Sequence, residues 1–464
     1  MKEKMKICCC FAKKEPTGLS WPGIGQDYSK REKYYEDLLN KNFGKDFEFC
    51  FVERTASATD EELKELINYD GFIMVLLAHG TALAQRIAPF LKNGLIIDDP
   101  YGGSGDAIRV ANIIKENIYP LRVIGTQDED ALLHKVKVYL AVPKLKNSKI
   151  LVFKNFNKMS PEKEVELAQS IGTGSTMKRY KAGREGFEKT VKSVENLFGI
   201  KIITKTLEDL ENYQKDIDEK EIEFFADKWK NQAERVVEPT YDDLKASARM
   251  HLALCKAKKE TEADVVSIDC ILLFFAYDMG VYPCMSWFEM NNNGQIGVCE
   301  SDLDSCITNL MIHYIAERPG FVSDPFVDTE SNQIVYSHCV ASNMPFGVDG
   351  GKSPYRIRTH GEDHESAAVQ VILPEGYPLT TIKVSTKGKA MSIHSGISAG
   401  NIDHECGCRT KLVCKVKNSK HIMDNWHNEL FSWHRVTVYG DYREDFKEMA
   451  NYLGLTIYEE DTEM

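Results

Sequence analysis

The sequence predicts an α/β protein with two doubly wound parallel-sheet domains followed by a β-rich, barrel-like domain. Three observations support this fold class. Short apolar strands alternate with helices in residues 1–155, the alternation continues with longer helices in 156–345, and helical periodicity then gives way to short alternating runs rich in Gly, Pro, Thr and Ser. Alternating strands and helices are typical of parallel sheets, whereas short alternating runs between turns are typical of antiparallel barrels or sandwiches. We therefore predict domains at 1–155, 156–345 and 346–464.

The first domain is predicted from short apolar runs and from helix start signals. The predicted strands are Lys6–Phe11, Phe47–Val52, Phe72–Leu77, Leu95–Ile97, Leu121–Gly125 and Lys149–Phe153. The predicted helices are Ser29–Asn40, Glu61–Asn68, Asp106–Glu116 and Asp128–Leu140. Thr59 with Glu62, and Thr126 with Glu129, have the spacing of capping boxes, in which two side chains satisfy the first backbone N–H groups of a helix.

The second and third domains differ in the periods of their apolar residues. The second has predicted helices at Arg184–Phe198, Glu219–Glu234, Tyr241–Lys258 and Asp302–Glu317, a strand-rich segment at Val265–Phe275 and a short strand at Gln295–Cys299. The third has predicted strands at Tyr355–Arg358, Ala367–Leu373, Thr380–Thr386 and Lys411–Lys417. A final strand, helix and strand are predicted at Arg435–Tyr439, Tyr442–Leu453 and Leu455–Tyr458.

Composition limits the classes of partner. The chain has 464 residues, with 58 Lys and Arg against 70 Asp and Glu, a net charge of −12. An acidic chain without a long basic run is not suited to bind the phosphates of nucleic acids. No segment reaches the ~18 apolar residues of a membrane span, and Ile7–Ala12 is too short for the core of a signal peptide. With 13 scattered cysteines, the sequence favours a cytoplasmic protein that binds a small molecule rather than nucleic acid or membrane.

Acidic residues follow two predicted strands of the second domain. Asp269 ends the apolar run at 265–268, and Glu300 ends the short strand before the next helix. Carboxyl ends of parallel strands are where ligands bind in α/β sheets. A turn or a helix cap is the more common explanation of a residue such as Asp269, and Asp302 and Asp304 fit the favourable field at a helix N-terminus. Glu300 precedes that cap and is therefore the better functional candidate.

Two histidines complete the candidate cluster. His338 follows an alternating segment, and His434 begins a strand beside Trp433. Carboxylates mixed with imidazole suit Mn²⁺, Co²⁺ or Mg²⁺, although a single His is more often a residue of the core or of a loop. Tryptophan beside His434 is explained by packing or by stacking on a sugar ring.

Other motifs support weaker hypotheses. The segment His404-Glu-Cys-Gly-Cys408 resembles part of a zinc site but has no second Cys pair. The glycine loop at 102–105 is predicted to be a turn before a helix, where a phosphate or a sugar hydroxyl could bind. Cys299 lies beside Glu300 but has no obvious base next to it in the sequence, which disfavours cysteine catalysis.

The order and spacing of these residues resemble the L-fucose isomerase and L-arabinose isomerase superfamily. That family has an acid at a strand end, a second acid about thirty residues later, a His after the following helix and hairpin, and a final His leading into a strand and a Gly. The matching residues are Asp269, Glu300 within Gly297–Asp302, His338, and His434 within Ser432–Gly440. The architecture resembles the family over nearly the whole chain, but specific motifs only over 264–345 and 426–457. Asp269 departs from the pattern, because those enzymes commonly have Glu there.

The resemblance implies an aldose–ketose isomerase that moves a proton between C1 and C2 of a free sugar such as L-fucose, L-arabinose or a 6-deoxy or 6-substituted relative. It implies one divalent metal, Mn²⁺ first and Co²⁺ or Mg²⁺ as alternatives, and a trimer or hexamer. The implied ligands are Asp269, Glu300 and His434, with His338 as a fourth ligand or just behind them, and Asp269 and Glu300 as the acid/base pair. The residues expected to contact the sugar are Trp287, Trp433, Asn425, His360 and Arg358. Two alternatives remain open: a non-catalytic two-lobed sugar-binding protein, and a metal-dependent sugar dehydratase or aldolase.

Overall fold

The structure, a computed structural model, describes residues 3–15, 20–171 and 175–462. It confirms the predicted fold class: parallel-sheet α/β parts and a closed antiparallel barrel. The strands are β1 Met5–Lys13, β2 Phe47–Thr55, β3 Gly71–Leu76, β4 Gly94–Asp98, β5 Leu121–Gly125, β6 Lys149–Phe153, β7 Lys201–Lys205, β8 Arg235–Val236, β9 Val265–Ile268, β10 Ile296–Val298, β11 Phe321–Asp328, β12 Gln333–His338, β13 Tyr355–Arg358, β14 Ala368–Val371, β15 Pro378–Ser385, β16 Ala390–Asn401, β17 Thr410–Lys415, β18 Arg435–Tyr439 and β19 Thr456–Glu459.

The α-helices are distributed between these strands. They are α1 Ser29–Phe43, α2 Asp60–Glu65, α3 Leu83–Ile87, α4 Gly105–Asn117, α5 Glu129–Lys146, α6 Pro161–Ile171, α7 Ser175–Phe198, α8 Leu207–Gln214, α9 Glu219–Gln232, α10 Tyr241–Thr261, α11 Cys270–Tyr277, α12 Cys284–Asn292, α13 Leu303–Ala316, α14 Ser419–Asp424, α15 Asn428–Phe431 and α16 Arg443–Tyr452. No helix within the described ranges combines the length and the apolar content needed to cross a membrane.

The chain forms two compact units. Unit 1 contains Met1–Lys144 and Asp445–Leu455, and unit 2 contains Leu145–Glu444 and Thr456–Met464. The chain therefore leaves unit 2 near its end, contributes most of α16 to unit 1, and returns to unit 2 for β19.

Unit 1 is a doubly wound domain with a parallel sheet in the order β2-β1-β3-β4-β5. Its central strands are buried along their length, which explains the continuous apolar runs in the sequence. The capping box at Thr59 and Glu62 forms as predicted. The second predicted box does not, because the Asp128 carboxylate accepts the Ala131 N–H at 3.2 Å and caps α5 instead.

Unit 2 contains a four-stranded parallel sheet in the order β10-β9-β6-β7. The predicted strand at Lys149–Phe153 is β6, which belongs to this sheet and not to the first series of strands. An apolar run predicts a buried strand, but it carries no information on which sheet buries it.

The apolar run after β9 is a helix and not part of a strand. Residues Cys270–Tyr277 form α11, which begins immediately after Asp269. Five of its eight residues are buried, and apolar side chains lie on every side of the helix. Such a run shows no helical period and is therefore indistinguishable from a strand by pattern alone.

The barrel has six antiparallel strands in the order β15-β18-β11-β12-β17-β16 and closes through pairing of β15 with β16. Strand β19 adds to the edge at β16 in parallel. Two barrel strands, β11 and β12, precede residue 346, where the composition changes. The predicted strands at 355–358 and 367–373 instead correspond to β13 and β14, which form a separate three-stranded sheet with β8. The barrel therefore begins in the middle of the chain. Its first strand, β11, follows β10 of the parallel sheet after the single helix α13.

Candidate functional site

Three charged residues follow three adjacent strands of the unit 2 sheet. Strands β6, β9 and β10 pair in register, with Phe153 opposite Ile268 and Val298 opposite Ser267. The residues just beyond these strands are Lys154, Asp269 and Glu300. The sheet therefore delivers one ammonium and two carboxylates to its carboxyl edge, where ligands bind in α/β proteins.

The backbone at Glu300 has an uncommon conformation. Glu300 and the following Ser301 have φ angles of 62° and 48°, the left-handed region that side chains disfavour. The Ser301 N–H donates to the Ile268 carbonyl at 2.9 Å, which ties this turn to the end of β9. Asp302 then caps α13. Non-glycine residues in this region mark sites where the surrounding structure enforces a geometry.

The barrel delivers three more side chains to the same place. His338 ends β12, His434 precedes β18, and Asp324 lies in β11, the strand that pairs with both. One ligand atom each from Glu300, His338 and His434 lies within 4.8 Å of the others. The sheet edge and the barrel rim thus bring together three of the four residues predicted to surround a metal.

Asp324 is a further acid that the sequence analysis did not select. Its Oδ1 lies 3.4 Å from Nε2 of His434, and the nearest carboxylate oxygen of Glu300 lies 3.9 Å from the same nitrogen. Aspartate is disfavoured inside strands, so an Asp within an apolar segment upstream of His338 was the available signal.

Several buried atoms of this cluster lack a protein partner. Nε2 of His338, Nε2 of His434 and Oδ1 of Asp324 have no hydrogen-bond partner among the described residues. A buried polar atom without a partner is destabilised by about 1–3 kcal/mol. A cation among carboxylates and an imidazole lone pair would satisfy such atoms, so the donor set fits a divalent metal.

His434 has the tautomer that a metal ligand needs. Its Nδ1 lies 2.9 Å from Oδ2 of Asp302, a partly buried carboxylate that also accepts from Nζ of Lys383 at 2.5 Å. Burial would raise the pKa of Asp302, but Lys383 and His434 hold it well below its usual range. Asp302 is therefore an anion, the proton of His434 lies on Nδ1, and the Nε2 lone pair points at the cluster.

His338 has the opposite tautomer. The backbone N–H of Cys339 donates to Nδ1 of His338 at 2.9 Å, so the proton of a neutral ring lies on Nε2. A protonated ring nitrogen cannot bind a cation. This geometry favours the second role considered for His338, a hydrogen-bond donor beside the metal.

The cluster also affects the charge of His434. Burial would lower the pKa of His434, but its hydrogen bond to Asp302 and the nearby Glu300 and Asp324 carboxylates raise it. The same negative field that favours the imidazolium would favour a bound cation.

Asp269 follows the neighbouring strand β9. Its carboxylate is fully buried and forms an ion pair with Lys154, whose side chain is also almost fully buried. Asp269 is not one of the three residues whose ligand atoms converge. Lys154 is thus a second charged residue of the edge that the sequence analysis missed, although it follows a buried apolar strand just as Asp269 does.

A cavity of about 250 Å³ lies beside His434. Trp433, which is 40% exposed, contributes to its apolar wall. Its polar lining residues are Lys154, Thr190, Ser301, Asp302, Asp304, Lys383, Ser432 and His434. A concave, partly apolar space with converging polar groups is typical of small-molecule sites.

The chain is similar in part to two known proteins. No protein-family model matches the chain. Proteins named Sulfoquinovose isomerase from Priestia aryabhattai and Priestia megaterium are each 24% identical to it over 207 residues. The match covers 42% of this chain and 43% of each relative, so it spans less than half of their length. Part of the chain is therefore similar to sugar isomerases.

The other predicted sugar contacts do not line the cavity. Trp287 is fully buried, and a Cβ on Gly297 would lie 2.2 Å from its ring, so its indole has no exposed face. Asn425 donates to the Glu460 carbonyl at 3.2 Å. Arg358 forms ion pairs with Glu238 and Glu405 at 2.5 and 2.8 Å.

His360 has a local partner of its own. It lies 3.0 Å from Oδ1 of Asp363 and stacks on Tyr282, with ring centroids 4.1 Å apart. Burial would lower the pKa of His360, but the hydrogen bond to Asp363 and the nearby Cys339 raise it to about 9. Its role in sugar binding stays a prediction.

The zinc hypothesis for residues 404–408 gains no support. Nδ1 of His404 accepts the backbone N–H of Cys406 at 3.1 Å, while Cys406 is exposed and Cys408 is buried. Over residues 3–15, 20–171 and 175–462, the Glu300 cluster is the one group of three or more potential ligands that lie close enough to share an ion.

Proposed function

We propose that this protein is a metal-dependent aldose–ketose isomerase that acts on a free sugar such as L-fucose, L-arabinose or a 6-deoxy or 6-substituted relative. The observation that carries the proposal is the convergence of ligand atoms of Glu300, His338 and His434, with the Asp324 carboxylate 3.4 Å from Nε2 of His434. The partial similarity to proteins named Sulfoquinovose isomerase supports the same reaction class.

The metal would be held by the carboxylate of Glu300 and by Nε2 of His434, and the Asp324 carboxylate, 3.4 Å from the same nitrogen, is a further candidate ligand. Asp269, at the neighbouring strand end, remains the fourth candidate. Mn²⁺ is our first choice because oxygen ligands with one imidazole suit it, and Co²⁺ or Mg²⁺ are alternatives. A bound divalent cation would supply stabilisation of the negative charge that develops on O1 and O2 of the sugar.

The protein's own carboxylates would move the protons. In the aldose-to-ketose direction, a carboxylate of the Asp269–Glu300 pair accepts the proton from C2 while O1 gains a proton, which gives a cis-enediol. O2 then loses its proton and C1 gains one, so atoms and electrons balance with no external oxidant. The two residues follow adjacent strands, which keeps an acid and a base within reach of one substrate.

His338 would orient the sugar, and Lys154 would balance the negative charge of Asp269. The Nε2–H of His338 is a buried donor without a partner in the described structure, so we assign it to a sugar oxygen. Lys154 pairs with Asp269 and keeps a compensating positive charge at the sheet edge. A trimer or hexamer in the cytoplasm remains our expectation for the assembly.

Turnover in deuterated water tests the proposal. We expect protein loaded with Mn²⁺ to convert at least one of sulfoquinovose, L-fucose, L-arabinose, D-arabinose or a 6-deoxyhexose to its ketose, with deuterium entering a carbon-bound position observed by NMR. Loss of water or cleavage of a carbon–carbon bond would instead indicate a dehydratase or an aldolase. Binding of a sugar without turnover would indicate a binding protein.

A further inference from the structure

The residue after His434 is an arginine that is completely buried. Nη1 of Arg435 donates to the carbonyls of Ser432 and His434, both at 3.1 Å. Its guanidinium stacks on Trp426, 3.6 Å from the ring centroid. Because these carbonyls flank Trp433, the guanidinium fixes the short backbone segment that carries both the cavity tryptophan and the metal-facing histidine.

That segment has a strained conformation. Ser432 has φ 56° and ψ −160°, a region that is essentially restricted to glycine. Such a conformation persists only where neighbouring groups enforce it. The hydrogen bond from Arg435 to the Ser432 carbonyl is a direct constraint on this residue.

Arg435 is itself held by a buried carboxylate. Nη2 of Arg435 donates to Oε1 of Glu460 at 2.7 Å, and both side chains have no exposed area. Burial would raise the pKa of Glu460, but Arg435 and His394 lower it, so the pair is ionic. A buried guanidinium that lost this partner would be strongly destabilised.

The other oxygen of Glu460 is fixed by a chain of hydrogen bonds in the barrel. The Thr381 hydroxyl donates to the Tyr336 hydroxyl at 3.2 Å, which leaves the Tyr336 proton for Nε2 of His394 at 2.5 Å. Nδ1–H of His394 then donates to Oε2 of Glu460 at 2.7 Å. Each oxygen of Glu460 therefore has its own buried partner, Arg435 for Oε1 and His394 for Oε2.

We infer that the Arg435–Glu460 pair is a positioning device that holds the strained turn at Ser432 and thereby aims Nε2 of His434 at the metal position. The inference rests on the proposed function, because it assigns His434 to the metal. The pair touches neither the converging ligand atoms nor the cavity, so Arg435 and Glu460 are positioning residues and not catalytic ones.

Substitution Arg435→Lys tests this inference. Lysine keeps the positive charge that pairs with Glu460. It lacks the planar guanidinium, which in Arg435 also donates to the carbonyls of Ser432 and His434. The matched control is Arg443→Lys, since Arg443 pairs with Glu459 and Asp461 on either side of Glu460 and, within the described part of the chain, does not hydrogen-bond to the segment that carries His434. The measurements are the visible absorption spectrum and the Kd of Co²⁺, together with the Tm of the metal-free protein.

We expect Arg435→Lys to weaken Co²⁺ binding about 10–100-fold and to change its absorption spectrum, as residues that orient a ligand do. Arg443→Lys should keep the wild-type spectrum and a Kd within about twofold, even where its Tm falls equally. A wild-type spectrum and Kd in Arg435→Lys would overturn the inference while leaving the proposed function intact. A wild-type protein that binds no Co²⁺ would overturn the proposed metal site, and this inference with it.

Discussion

At the scale of single residues, Glu300 carries the strongest chemical assignment. The substitution Glu300→Gln keeps the size of the side chain but removes its ability to exchange a proton and to ligate as an anion. Because a positioned acid or base contributes about 10²–10⁴-fold, we expect turnover to fall at least about 100-fold with an unchanged Tm. The matched control is Glu330→Gln in the exposed turn between β11 and β12, which should keep wild-type activity. Retention of a large part of the activity in Glu300→Gln would contradict the assignment.

His360 makes a pH-dependent contribution to stability. Its pKa is about 9 in the folded protein against 6.5 for an ordinary histidine, so the protonated ring is stabilised by Asp363. This contribution is fully present below pH 6.5 and is lost as the pH rises through 9. We expect the free energy of unfolding in urea to fall over this window in the wild type and to fall less in His360→Gln. Equal pH dependence of the two proteins would exclude His360 as the cause.

At the scale of elements, the fit between β10 and α12 fixes the strand that leads to Glu300. A Cβ on Gly297 would lie 2.2 Å from the Trp287 ring, which is fully buried and has no space to move. We expect Gly297→Ala to lower the free energy of unfolding by about 1–3 kcal/mol, measured with urea. Gly351→Ala is the control, because a Cβ there meets no atom within 4 Å, and it should not destabilise the protein.

Elements with a local signal were predicted from the sequence, and those that depend on distant partners were not. The bounds of β5 and β18 agree with the prediction, because apolar residues and turn residues delimit them. The helix α11 was wrongly expected to be strand, since uniform burial removes the helical period. Strand β6 was assigned to the wrong sheet, because its partners β7 and β9 lie far along the chain.

The same limit applies to the site. Glu300, His338 and His434 were selected by residue type and order, and the structure brings them together. Asp324, Lys154 and Lys383 were missed because their roles depend on which side chain each one meets across the barrel and the sheet edge. No spacing rule in the sequence encodes those distances.

At the scale of the whole molecule, metal binding should raise the thermal stability of the protein. A ligand that binds only the folded state at 100 times its Kd stabilises it by about 2.7 kcal/mol. We expect Mn²⁺ to raise the Tm of the wild type, EDTA to reverse the effect, and His434→Ala to lose most of it. The control is His427→Ala, because His427 is exposed and lies close to His434 in the sequence. This variant should respond to Mn²⁺ like the wild type. A full Mn²⁺ response in His434→Ala would remove this residue from the metal site.

The route of the chain through its two units has a consequence for synthesis on the ribosome. Unit 1 contains both the first 144 residues and residues 445–455, which include most of α16. Domains usually fold as they emerge, the N-terminal one first. Here the earliest-made unit must wait for its last helix until all of residues 145–444 have been translated. A nascent chain stopped before residue 445 would therefore carry an exposed apolar surface where Phe446 and Met449 belong, a state that chaperones recognise.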